Sequence, residues 1–298
     1  MSATFAAPAA PLHGGPARNA AVTVKLRRRR KGRDILATGL ATFATIVAMG
    51  LLAWILVTLF QLGFGTLRLR VFTTITMASG DNGGLSNAIV GSLIQTALGT
   101  AIGTPIGMLA GTYLAEYAGR TAFGNAVRFV SDILLSAPSI LIGLFIYSVL
   151  VASFGGFSGF AGSVALAVIV IPIVIRTTED MLRLIPVSLR EAAIALGAPR
   201  WKSIVFVCYR AARDGILTGV LLAVARVAGE TAPLLFTSLG NSDYSGLGSA
   251  MASLPTTIYQ YASDPSDDLR QLAWTGALLV TLGVLTINII ARLVLRRR

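Results

Sequence analysis

Charge is what this sequence of 298 residues has least of. Asp, Glu, Lys and Arg together make up 13% of the chain, about half the share of an ordinary soluble domain. Hydrophobic residues reach 54%, and mean hydropathy is +0.75. A soluble globular chain is thereby excluded. A single cysteine, Cys208, excludes a disulfide framework within the chain and any Cys-rich metal site. The only histidine, His13, stands in an Ala/Pro/Gly-rich stretch, so no His-based catalytic or metal cluster can be built. No Gly-x-x-x-x-Gly-Lys-Ser/Thr loop is present, so the chain has no such cradle for ATP phosphates. The Gly-rich piece at 155–159 contains no Lys. No cofactor of its own is expected. The net charge of +12 would suit a nucleic-acid partner, but its distribution follows the two sides of a membrane, and no nucleic acid is expected.

Long apolar runs are abundant instead. Residues 1–24 lack hydrophobic periodicity and read as an unstructured tail, followed by the basic run Lys25-Leu-Arg-Arg-Arg-Arg-Lys-Gly-Arg33. Directly ahead of an apolar segment, that run reads as a cytoplasmic anchor. Six spans follow, each long enough for a bilayer: 35–60, 88–113, 127–152 with a bend at Pro138, 162–177 as the core of a fourth, 215–238 and 272–294. The tail is bounded at 1–34 and the six-helix membrane domain at 35–298. The second span carries Gly91, Gly99, Gly103, Gly107 and Gly111. Small residues at intervals of four let helices approach closely; the alternative is that they merely loosen the helix.

Counting basic residues orients the spans. With the N-terminus in the cytoplasm, eight Lys and Arg fall before 35, two between the second and third spans, seven from 176 to 213, and four at the C-terminal end. Only Arg68, Arg70 and Arg270 fall outside. The bias places both termini in the cytoplasm. The adjoining Glu179 and Asp180 lie at the basic edge, where salt bridging is the ordinary role.

One basic residue belongs to neither side. Arg226 sits near the middle of the fifth span, and Glu230 follows four residues later on the same helix face. A lone cation at that depth costs roughly 2.5–3.5 kcal/mol on insertion scales. The basic-first order is the weaker one for helix stability. Two readings stand: a charge pair that glues helices together, or an anion path in which Arg226 meets the anion and Glu230 sets its charge and pose.

The basic segment between the fourth and fifth spans contains Glu191-Ala-Ala-Ile-Ala-Leu-Gly197. It resembles the EAA loop of ABC-importer permeases, whose short coupling helix docks in a cleft of the ATPase subunit. Small Ala residues allow close approach. Glu191 is expected near a helix start, where the dipole favours it, and Gly197 suits the turn that ends the helix. The resemblance implies that Glu191, Ala192, Ala193 and Gly197 make the ATPase contact within a loop of about 179–212. The family's closing Ile-x-Leu-Pro is replaced here by Val207-Cys-Tyr-Arg210, which leaves open the bend between coupling helix and fifth span.

Ala225-Arg-Val-Ala-Gly-Glu-Thr-Ala-Pro-Leu-Leu-Phe-Thr237 resembles the signature of PstA-type permeases of phosphate ABC importers. Ser253-Leu-Pro-Thr-Thr-Ile-Tyr259, Ala262-Ser-Asp-Pro265 and Trp274 are similar to that family's last external loop and last span. The resemblance covers residues 35–298. It implies an all-α polytopic fold of six transmembrane helices with type I, MetI-like architecture in a bacterial inner membrane. It implies phosphate transport rather than catalysis, with Arg226, Glu230 and Thr231 on the substrate path. The implied partners are a PstC-type sister permease, two PstB-type ATPases and a PstS-type phosphate-binding protein. Other readings are a permease for another oxyanion such as sulfate or molybdate, a lipid-modifying enzyme using Arg226, and an insertase-like bundle. The enzyme reading lacks a nucleophile and base near Arg226.

Overall fold

A computed structural model describes residues 16–296 except 82 and 120. The chain divides into two compact units, 1–58 and 59–298. Helix α1, Pro16–Gly65, contributes to both. It contains an apolar span from Arg33 to Gly65. The first fifteen residues of the expected tail lie outside the described residues. From Pro16 onward the chain is helical rather than unstructured. Pro fits the first helical position, and the Ala, Lys, Leu and Arg that follow are strong helix formers.

Unit 2 is organised around two helices, α2 (Ser86–Glu116) and α5 (Gly159–Arg183). Between them the chain makes α3 (Ala122–Ser136) and α4 (Ser139–Ile146). After α5 come α6 (Val187–Ala195), α7 (Tyr209–Val227), α8 (Ala232–Thr237), α9 (Leu254–Ala262) and α10 (Asp267–Arg296). Every regular element among the described residues is helical.

The glycines of α2 set its packing. A Cβ on Gly99, Gly103, Gly107 or Gly111 would stand 2.8, 2.8, 2.7 or 2.8 Å from the Cβ of Leu166, Val170, Val174 or Thr178 in turn. Both series advance by four residues, so the i, i+4 rows of α2 and α5 interlock. Only a missing side chain admits that closeness. Gly91 departs from the series and meets the Ala252 carbonyl instead. On its other faces α5 packs in one cluster with Ile142, Ile146, Val227 and Leu234, and it is the most buried of the long helices.

Among the described residues, four helices are long and apolar enough to cross a membrane, or five if α3 and the helix Ser139–Phe154 that follows it count as one span. Two expected spans take a different form. At Pro138 the third does not bend but breaks: α3 and the helix running Ser139–Phe154 meet at 105°. Pro138 cannot donate to the preceding turn, and it holds Ala137 in an extended conformation (ψ 139°). The fifth span, expected as one helix over 215–238, is divided into α7 and α8. Four spans match their expected places, at Arg33–Gly65, Ser86–Glu116, Asp267–Ile290 and Gly159–Arg183, the last containing the expected core 162–177.

Side-chain caps fix several helix starts. Thr121 accepts from the Gly124 amide, Ser158 from Ala161, and Ser253 forms a reciprocal capping box with Thr256.

Candidate functional site: a broken helix bearing an ion pair

The break in the fifth span follows from two residues. Pro233 has no amide hydrogen for the carbonyl four residues back, which belongs to Gly229, and its ring crowds that carbonyl. Gly229 itself is the weakest ordinary helix former. The last turn of α7 tightens, with Gly229 donating to the Arg226 carbonyl at 3.4 Å and Glu230 to that of Val227 at 3.2 Å. The chain restarts at Ala232 with Pro233 in the first turn of α8, a place where proline is tolerated.

Arg226 is thus in the last turn of α7 and Glu230 in the gap. Arg226 Nε lies 3.7 Å from Glu230 Oε1. The Arg226 side chain is 48% exposed and that of Glu230 15%, so the acid is the sheltered partner. At that separation the contact is an ion pair without a hydrogen bond. The terminal nitrogens of Arg226 therefore keep their donors, in the planar fork that matches an oxyanion. Thr231 is half-buried at the start of α8, where its hydroxyl makes no capping bond. The structure brings Arg226 and Glu230 together and sets Thr231 next along the same gap.

The second expected site is a separate surface. Helix α6 buries none of its residues. Glu191 and Ala192 are exposed and Ala193 half-buried. Gly197 adopts φ +81°. Its amide donates to Ile194 at 2.9 Å, and that of Ala198 to Ala193 at 3.2 Å. These two bonds make a Schellman ending. Glu191 is not near the helix start, as was expected, but in the middle, because the helix begins at Val187 after Pro186. At Arg210 the helix is uninterrupted. A π-helical stretch from Ser203 to Cys208 passes directly into α7, since Arg210, unlike proline, supplies its amide to the helix. Burial pushes the Cys208 thiol above its ordinary pKa, so it is an unreactive packing residue.

The ion pair that holds this surface, Arg190–Glu116, was not evident in the sequence. Arg190 donates to Glu116 Oε1 at 2.8 Å, to the Ile185 carbonyl at 2.7 Å and to the Leu182 carbonyl at 2.6 Å. It thereby ties α6 to the ends of α2 and α5. Burial lowers the pKa of Arg190, but Glu116 outweighs it and the net shift is upward. Glu179 is almost fully buried between Arg128 at 2.7 Å and Arg183 at 2.6 Å. Salt bridging was the role expected of it.

Residues 103–298 match the model of the binding-protein-dependent transport system inner membrane component family. The chain belongs to that family. It is 53% identical over 265 residues to the phosphate transport system permease protein PstA of Haemophilus influenzae, covering 89% of this chain and 94% of the relative. Against the protein of that name from Yersinia pestis it is 47% identical over 273 residues, with coverage of 91% and 92%. Among solved structures, an inward-facing MetNI methionine ABC transporter aligns with a TM-score of 0.61 at 21% identity, over 72% of this chain and 95% of that one. A bacterial ABC transporter importing alginate aligns at 0.63 and 16%, over 92% and 99%. These two establish the ABC permease fold. The protein is a multi-pass component of an inner membrane, and its relatives are transport permeases rather than enzymes.

Proposed function

We propose that this chain is the PstA-type permease of an ATP-driven phosphate importer, forming half of the translocation path. The observation that carries the reading is the Arg226–Glu230 pair at a helix break. An always-charged fork, half-exposed, with no hydrogen bond to spend its donors on, suits a phosphate in transit. Glu230 offsets the charge so that the anion is not held too firmly, and Thr231 adds a hydroxyl beside it. A half-exposed charge at bilayer depth needs a covering surface, and a PstC-type sister permease supplies one. ATP is bound and hydrolysed by two PstB-type subunits, one of them docked on α6, and a PstS-type protein delivers phosphate from outside. Both termini lie in the cytoplasm, as the bias of basic residues requires.

Reconstitution of the purified complex in vesicles tests this directly. ATP-dependent phosphate uptake that excess sulfate or molybdate does not inhibit is the expected result. Uptake of either of those anions in place of phosphate would transfer the assignment to the oxyanion alternative.

A further inference from the structure

A groove of about 590 Å³ opens between α2 and the start of α7, on a side of α7 separate from the Arg226 face. Its floor is apolar, including Met108, Phe206, Leu217 and Val220, and Arg210 and Arg213 stand on its wall. Both arginines are exposed. Arg213 touches Asp214 through Nε at 3.2 Å, a solvent-facing contact that leaves its terminal nitrogens free. Arg210 has no acidic partner and no side-chain hydrogen bond among the described residues. Nothing in the transport reading uses either residue.

We infer that this groove holds one anionic phospholipid, with its phosphate on Arg210 and Arg213 and an acyl chain along Leu217 and Val220. Charge and dimensions select this occupant. Ten residues separate Arg210 from Val220, or about 15 Å of helix. That is half of a ~30 Å hydrocarbon core, the depth of one leaflet. The cations stand at one end of the groove and the apolar walls run inward, which is the polarity of a lipid. Basic pockets between membrane helices on the cytoplasmic side commonly take anionic head groups.

The test is native mass spectrometry of the purified complex after equilibration in nanodiscs containing equal phosphatidylglycerol and phosphatidylcholine. The wild type should retain phosphatidylglycerol at least tenfold over phosphatidylcholine. The Arg210→Gln/Arg213→Gln variant should lose that preference. Leu217→Trp, which fills the apolar part and spares both charges, should lower retention as well, so that a folding defect of the double variant does not decide the matter alone. Inorganic phosphate should not displace the lipid. Equal retention of both lipids, unchanged retention in the two variants, or displacement by phosphate would each overturn the inference. So would a photocrosslinker at position 217 that captures a protein helix rather than a lipid.

Discussion

A Cβ placed on Gly143 would stand 2.6 Å from the Cα of Pro233. The two residues belong to the two short helices that follow the breaks in the third and fifth spans. The discontinuities are therefore not independent: α4 and α8 cross at backbone contact, just beyond the Glu230 gap. Anything that lifts α4 must move α8, and with it the geometry of Arg226 and Glu230.

Gly143→Leu should accordingly impair phosphate uptake by more than tenfold while leaving the protein in the membrane. Overpacking a close contact costs about 1–3 kcal/mol, which lowers the thermal midpoint in detergent without abolishing the fold. Wild-type uptake by this variant would mean that α4 and α8 do not act as one body.

The glycine ladder makes a sharper stability prediction. At Gly103 a side chain would collide with Val170 Cβ at 2.8 Å and with the Ala167 carbonyl at 2.9 Å. Backbone cannot yield as a flexible side chain can, so Gly103→Val should cost at least ~1–3 kcal/mol. Gly283→Ala, with nothing within 4 Å of its Cβ, should be neutral or slightly stabilising, because Gly is about 1 kcal/mol worse than Ala in a helix interior. Comparison of the two by thermal unfolding in detergent checks both signs.

Arg226→Gln should nearly abolish uptake in the reconstituted complex, and Arg226→Lys should impair it, since an ammonium cannot make the forked contact. Glu230→Gln should also lower transport, although it removes a negative charge from the path. Faster uptake by Glu230→Gln at low phosphate would show that Glu230 is a barrier and not a partner. If the pair acts as a unit, the double variant will be no worse than Arg226→Gln.

Glu179 is predicted to matter for assembly rather than transport. It is 3% exposed and pairs with two arginines, of which Arg183 is half in solvent. Glu179→Leu leaves Arg128 without its charge partner, although the carbonyls of Leu114 and Gly119 still accept from it. Breaking a buried pair costs about 3–5 kcal/mol, and the exposed side of this one brings the figure toward the lower end. Reduced yield of folded protein at unchanged turnover per folded molecule is the expected pattern.

What the sequence made legible was periodic or chemically distinctive. The glycines of α2 announced their packing because a four-residue repeat has few other uses in a helix. Arg226 stood out because charge at bilayer depth is expensive. The break beside it was also written in the chain, in Gly229 and Pro233, but apolar length alone argues for an unbroken span and conceals it. The 105° turn at Pro138 was legible as a bend but not in size, since proline removes one bond and leaves tertiary packing to set the angle. Arg190 and Glu116 could not be found, because 74 residues separate them and each reads as an ordinary surface charge. Gly197 marked the end of α6 correctly, whereas its start was misjudged at Glu191 because Pro186 starts the helix four residues earlier.

The exposed helix α6 separates docking from folding. Ala192 and Glu191 touch no buried core, so Ala192→Trp should leave the thermal midpoint within about a degree of wild type, as surface substitutions change stability by less than ~0.5 kcal/mol. Gly197 differs, because its φ of +81° is costly for any residue with a Cβ. Gly197→Val should distort the helix end by ~1–2 kcal/mol, whereas Gly197→Asn, which tolerates that region, should retain most of its order. If α6 docks the ATPase, Ala192→Trp will detach it as thoroughly as Gly197→Val despite the unperturbed fold, and Gly197→Asn will retain it. Co-purification of the ATPase with each variant, beside phosphate-stimulated hydrolysis, distinguishes these outcomes. A stable Ala192→Trp complex with normal hydrolysis would make α6 a plain connector and move the search for the coupling contact to the neighbouring exposed side chains of Leu184 and Trp201.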